Sequence, residues 1–168
     1  MSIRKRSVGG ILNIVLYEPE IPQNTGVVGR LCVATGCALH LIEPLGFRLS
    51  DRGLRRAGLD YWAKVDLHRY VNFDDFLERA GPGRLLLFST GGHRVYWEAE
   101  IVPGDYLVFG SETRGLPDEL KRHYCERLFR IPMVPGGVRS LNLATAVGVV
   151  LYEGLRQLRA AGMELGLK

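Results

Sequence analysis

Three short stretches carry residue types that can bind a small molecule and act on it. The first is Asn24-Thr25-Gly26-x-x-x-Arg30, which directly follows Glu18-Pro19-Glu20-Ile21-Pro22. Asn24 suits a helix N-cap, and Arg30 then falls between one and two turns down the same helix. The second is Phe109-Gly110-Ser111-Glu112-Thr113-Arg114-Gly115-Leu116-Pro117, where Glu112 and Arg114 leave an apolar run. The third is Ile131-Pro132-Met133, a glycine-bearing loop, and Ser140-Leu141-Asn142-Leu143-Ala144. Carboxylate, guanidinium, hydroxyl and amide groups gathered at the ends of apolar runs can align a substrate and help a proton leave. Each stretch also has a plain structural reading. Arg30 is then solvated surface, Glu112 and Arg114 form an ion pair, and Ser140 or Asn142 caps a helix.

The commoner tenants of an α/β domain leave no mark. G-x-G-x-x-G after a strand, G-x-x-x-x-G-K-[ST] and G-x-S-x-G are all absent, which argues against dinucleotide, P-loop and hydrolase chemistry. Cys32, Cys37 and Cys125 include no C-x-x-C. The four histidines, His40, His68, His93 and His123, do not pair with them at zinc spacing. No metal is expected, and the thiols are expected to be buried or unreactive.

The elements that position these stretches follow from hydrophobic pattern. Strands are predicted over Ile11–Tyr17, Ala38–Ile42, Lys64–Leu67, Leu85–Phe88, Tyr106–Phe109 and Arg127–Ile131. Helices are predicted over Thr25–Thr35, Asp51–Leu59, Phe73–Ala80, Pro117–Tyr124 and Leu143–Leu158. Their alternation is that of a parallel α/β sheet. Three strands run into small or polar residues: Ser89-Thr90-Gly91-Gly92, Gly110-Ser111-Glu112, and Pro132 to Ser140. Ligands of open parallel sheets sit at carboxyl strand ends, so one small-molecule site built from these loops is expected. The last helix carries Leu143, Val147, Val150, Leu151, Leu155 and Leu158 as one stripe.

The chain has 168 residues, 46% apolar and 24% charged, the profile of one globular domain. No run approaches the ~20 apolar residues of a membrane span, and no signal peptide is read at the N-terminus. Net charge is +4 and only four of 22 basic residues are Lys. The excess is therefore Arg, whose planar fork suits phosphate, and nucleic acid is a compatible partner.

Together and in this order, the three stretches resemble the motifs of the SPOUT superfamily of trefoil-knot RNA methyltransferases. Ile14-Val15-Leu16-Tyr17-Glu18-Pro19, Leu54-Arg55-Arg56-Ala57-Gly58-Leu59-Asp60-Tyr61 and Ala146-Val147 through Tyr152-Glu153 resemble its minimal branch, which methylates the tRNA wobble ribose. The resemblance spans residues 12 to 158. It implies an α/β fold, a parallel sheet flanked by helices with a deep C-terminal trefoil knot. It also implies residues 1–10 as an extension, 11–160 as the domain and 161–168 as a tail.

The implied activity is transfer of a methyl group from S-adenosylmethionine, with S-adenosylhomocysteine as product, to the ribose 2′-oxygen of the wobble cytidine or modified uridine. The alternatives are a ribosomal RNA target, or a non-catalytic RNA-binding protein on the same fold. The resemblance implies cofactor contacts from Phe88, Ser89, Thr90, Gly110, Glu112, Ile131, Met133, Ser140 and Leu141. It implies catalytic roles for Arg30, Asn24, Glu112, Ser140 and Asn142, with Arg30 acting on the ribose hydroxyl. RNA contacts are expected from Arg55, Arg56, Arg114, Arg139 and Tyr152. The implied partners are the tRNA anticodon stem-loop and a second copy of the chain, in the cytoplasm and away from membranes. A dimer built on Leu143–Leu158 is expected from its apolar stripe, which promises more apolar surface than one core can cover, and from Gly148 and Gly154.

Overall fold

The computed structural model describes residues 11–49 and 59–167. Seven strands form one wholly parallel sheet: β1 (Asn13–Tyr17), β2 (Ala38–Ile42), β3 (Leu67–Tyr70), β4 (Leu85–Phe88), β5 (Arg94–Val95), β6 (Tyr106–Phe109) and β7 (Leu128–Arg130), in the order β3-β2-β1-β6-β4-β7-β5. The helices are α1 (Pro22–Thr35), α2 (Leu59–Trp62), α3 (Phe73–Arg79), α4 (Asp118–His123) and α5 (Leu143–Ala160). The chain is an α/β protein, as the alternation of elements implies.

The near-continuous apolar strands are explained by cover on both faces. On one face Ile14, Leu16, Leu39, Leu41, Leu107, Phe109 and Phe129 pack with Val28 and Cys32 of α1 and with the stripe of α5. On the other, Val15, Leu87, Val108 and Leu128 pack with Phe76 of α3 and with Leu116, Leu120 and Tyr124 around α4. The α5 stripe is consumed by this core, since Leu143, Val147, Val150, Leu151, Leu155 and Leu158 are all buried within the one chain. Gly154 faces Leu12 and Ile101, and Gly148 faces Leu31 of α1. The stripe therefore leaves no surplus apolar surface for a dimer, because the seven-stranded sheet covers it.

Three element assignments change. The third strand is Leu67–Tyr70, not Lys64–Leu67, because β3 registers Leu39 against Leu67 and Ile42 against Tyr70. The pair Arg94–Val95 adds an edge strand beside β7, too short to leave a periodic signal. Helix α1 begins three residues earlier than expected. Ile21 is its extended N-cap and Pro22 its first residue, where a missing N–H costs nothing. Asn24 is thus inside the first turn and is not the cap. The helix predicted over Asp51–Leu59 lies, but for Leu59, outside the described residues.

The C-terminal strands are closely interleaved. β7 lies between β4 and β5, with the loop after β4 against it. The Ser89 N–H donates to Phe129 O at 2.9 Å, and Arg130 Nη1 donates to the carbonyls of Gly92 and His93 at 2.9 and 2.7 Å. A Cβ on Gly92 would lie 2.4 Å from the Phe129 carbonyl carbon, so only glycine permits this crossing. Met163 and Leu165, beyond α5, also pack on the core.

Candidate active site

The carboxyl ends of β4, β6 and β7 open into one cavity of about 580 Å³. That volume suits a nucleoside-sized ligand, since small-molecule sites run from about 300 to 1,000 Å³. Its walls mix apolar groups (Phe109, Leu116, Ile131, Met133, Leu141, Leu143) with polar ones (Ser89, Thr90, Ser111, Glu112, Asn142). Every expected cofactor-contacting residue lines it: Phe88, Ser89, Thr90, Gly110, Glu112, Ile131, Met133, Ser140 and Leu141. Asn24, Asn142, Arg114 and Arg139 line it as well.

The loop after β6 is shaped by Gly110, where an added Cβ would lie 2.2 Å from the Gly115 carbonyl carbon. The chain turns back on itself there, with the Gly115 N–H donating to Ser111 O at 2.9 Å. This turn aims Glu112 at the start of α1. One carboxylate oxygen accepts from the Glu20 N–H at 2.7 Å. The other accepts from the Ile21 N–H at 3.1 Å and from Asn24 Nδ2 at 3.0 Å. Ile21 has no capping side chain, so Glu112 supplies from across the molecule the negative charge a helix N-terminus favours.

The network continues. Asn24 Oδ1 accepts from Asn142 Nδ2 at 2.9 Å, and Asn142 Oδ1 caps α5 by accepting from the N–H groups of Ala144 and Thr145 at 2.9 and 3.3 Å. Asn24 is buried, and in this position both ends of its amide are used. A single chain of hydrogen bonds therefore joins the three sequence stretches. Glu112 and Arg114 do not pair with each other. Arg114 reaches Glu18 Oε2 at 3.1 Å and Glu20 Oε1 at 3.7 Å, while the Thr113 hydroxyl donates to Glu20.

Other expected residues lie apart. Arg30 is on the exposed side of α1, outside the cavity lining, with its guanidinium 4.9 Å from the centre of the Tyr61 ring. Tyr152 is exposed on α5 in a separate shallow groove with Arg156, Arg159 and Leu167. Arg55 and Arg56 lie outside the described residues. Ile21, Ser111, Thr113, Leu116, Lys121 and Ala146 line the cavity without having been singled out. Ser111, Thr113 and Leu116 sit inside a motif already noted, whereas Lys121 on α4 gave no sequence signal. Among the cysteines, Cys32 and Cys37 are buried and burial pushes both thiols up, whereas Cys125 is exposed. Among the described residues, no group of three or more His, Cys, Asp or Glu gathers as a metal site, and no helix is long and apolar enough to cross a membrane.

A wholly parallel sheet whose strand ends converge on one half-apolar, half-polar cavity defines an α/β domain built to hold a small molecule beside a polar rim. The family model described as SpoU rRNA Methylase family matches residues 11–152, and the chain belongs to that family. A tRNA (cytidine(34)-2'-O)-methyltransferase of Saccharophagus degradans is 53% identical over 155 residues, covering 90% of this chain and 99% of that protein. A solved structure described as "Structural insights into the 2-OH methylation of C/U34 on tRNA" is similar with TM-score 0.85 at 52% identity, over 90% of this chain and 98% of that one. An AdoMet-bound rRNA methyltransferase from Sinorhizobium meliloti is similar with TM-score 0.75 at 28% identity, over 89% of this chain and 57% of that one.

Proposed function

We propose that this protein is an S-adenosylmethionine-dependent tRNA 2′-O-methyltransferase acting on the ribose of nucleotide 34, cytidine or modified uridine. The observation that carries this reading is that the three motif stretches meet in one cavity, in a chain about half identical over nine tenths of its length to a relative named for that activity. The alternative of a ribosomal RNA target draws support only from the family description and from more distant neighbours.

The cavity fits the donor by size and by chemistry. Its apolar walls suit an adenine ring, and Ser89, Thr90, Ser140 and the backbone of Gly110 offer hydrogen-bonding groups for a ribose and an amino-acid end. The bound donor supplies a methyl group already activated on a sulfonium. The protein's remaining tasks are to align the ribose oxygen and ease loss of its proton. Glu112, Asn24 and Asn142 serve by holding the cavity loops against α1 and α5. Arg30 serves as a charged group beside the reacting oxygen or its neighbouring phosphate. A guanidinium, planar and permanently charged, is a poor proton acceptor, so the charged role is preferred to that of a neutral base. Arg55, Arg56, Arg114, Arg139 and Tyr152 are assigned to RNA contact.

The family's trefoil knot is supported by the interleaving of β7 with the loop after β4. A homodimer, in the cytoplasm, belongs to the same reading. Its support is the apolar and aromatic surface that adjacent helices α1 and α5 leave exposed at Val27 and Tyr152. Sedimentation as a concentration-independent monomer would refute the dimer. The activity is tested by incubating the protein with labelled S-adenosylmethionine and total tRNA, followed by nucleoside mapping. Label in a 2′-O-methylated nucleoside at position 34 is expected, and label elsewhere or nowhere refutes the assignment.

A further inference from the structure

Among the described residues, three cations line the cavity, and they are not equivalent. Arg114 lies between the carboxylates of Glu18 and Glu20, so its charge is offset. Arg139 is exposed on the loop before α5. Lys121 differs from both: its side chain is only 29% exposed. Its one ion-pair partner among the described residues is Asp118, at 2.7 Å and 78% exposed, a solvent-screened contact of the kind that contributes little. An ammonium has three donors and is strongly hydrated, so one screened contact leaves a cation at the cavity wall with donors that oxygen atoms of a ligand can take. The carboxylate that lines the same cavity, Glu112, is occupied by the start of α1 and does not answer it. The cavity they share, of about 580 Å³, has room for a ligand.

We infer that Lys121 is an oxyanion-binding residue of the methyl-transfer site. The oxyanion is either the carboxylate at the amino-acid end of the methyl donor or a phosphate of the RNA strand. The inference rests on the methyltransferase reading and adds to it a residue outside the three motif stretches.

The test uses the full chain and its Lys121→Gln, Lys121→Arg and Asp118→Asn variants. Calorimetry measures S-adenosylmethionine and 5′-methylthioadenosine, which lacks the amino-acid end. Fluorescence anisotropy measures tRNA binding from 50 to 200 mM salt. If the oxyanion is the donor carboxylate, Lys121→Gln weakens S-adenosylmethionine binding about tenfold, the range of a charge-assisted hydrogen bond, and leaves 5′-methylthioadenosine unchanged. If it is an RNA phosphate, the salt slope of tRNA binding falls by about one and donor affinity is unchanged. Either pattern supports the inference, with Lys121→Arg retaining most of the lost binding. Asp118→Asn separates an anion site from a structural ion pair. It should leave both affinities at wild-type level or tighten them, and losses matching those of Lys121→Gln would overturn the inference. Wild-type binding with no change in Lys121→Gln would overturn the inference alone. Failure of the wild-type protein to bind S-adenosylmethionine would overturn the methyltransferase reading and this inference with it.

Discussion

Replacing Glu112 by Gln tests whether one carboxylate fastens the cavity to α1. Three donors converge on it: the Glu20 N–H, the Ile21 N–H and Asn24 Nδ2. Both oxygens are needed, and the glutamine amide can present only one. Its NH₂ group would face either the Glu20 N–H or the Ile21 N–H with Asn24 Nδ2, pairing donor with donor and leaving at least one partly buried donor unsatisfied. Hydrogen bonds to a charged group are worth about 1.5–3 kcal/mol each, and a stranded buried donor costs about 1–3 kcal/mol. With partial relaxation, a loss of roughly 2–4 kcal/mol is expected, a large share of a typical 5–15 kcal/mol stability. For a chain of this length that corresponds to a fall in Tm of roughly 5–15 °C. Denaturant unfolding of Glu112→Gln, Asn24→Ala and the double variant provides the assay. Coupling between the two sites should exceed about 0.5 kcal/mol, as for residues within one network. A Glu112→Gln protein with wild-type midpoint, or strictly additive effects, would refute the clamp.

Further outcomes follow from other sites. Arg30→Ala should slow single-turnover methyl transfer by about 10²-fold or more, the range of a proton-transfer or oxyanion group, while leaving donor binding intact; near wild-type turnover would end its catalytic assignment. His40 is buried, with Nε2 at 3.2 Å from Asn13 Oδ1 and Nδ1 at 2.9 Å from the Tyr70 hydroxyl. Asn13 Oδ1 can only accept, so Nε2 carries the proton and Nδ1 accepts from Tyr70. Burial lowers the His40 pKa to about 3. The unfolded chain therefore takes up a proton below about pH 6.5 that the folded chain refuses. This contribution is fully present above that pH and is lost as pH falls, by about 2 kcal/mol between pH 7 and pH 5. Stability curves measured across that range for wild type and His40→Gln should differ in slope, and equal slopes would refute the assignment. Gly110→Ala must move the Gly115–Leu116 backbone, so it should unfold at lower denaturant and bind S-adenosylmethionine poorly; an unperturbed variant would contradict the turn described here.

Much of the fold is legible because the strands are short, apolar and bounded by turn residues. Leu85–Phe88 and Tyr106–Phe109 fall where their patterns place them, and α5 is marked by a stripe of period 3.6. What the pattern misses has physical causes. β3 carries His68 and Arg69, so its register depends on pairing with β2 and not on hydrophobicity. β5 is two residues long and exists only because β7 passes beside it. The cavity was legible as three polar strand ends. Its membership beyond them was not, because Lys121 enters from a helix whose sequence looks like ordinary charged surface.

Asn24 shows where local reading fails and why. A short polar residue ahead of an apolar periodic run looks like an N-cap, and the local chemistry is sound. Two facts beyond that chemistry override it. Pro22 can open a helix without an N–H, which moves the start upstream, and Glu112, 88 residues away in sequence, arrives to satisfy the exposed end. Released from capping, Asn24 turns its amide to join Glu112 with Asn142, and Asn142 becomes the true cap of α5. The stretch holding Arg30, the loop holding Glu112 and the helix after Ser140 are thereby one hydrogen-bonded unit. A ligand that orders the loop holding Glu112 or the start of α5 therefore acts on the helix that carries Arg30. The same unit explains why the motifs are separated in sequence yet each poor in chemistry by itself: Glu112 and Asn142 each complete their hydrogen bonds on Asn24, and Asn24 completes its own only when both are in place.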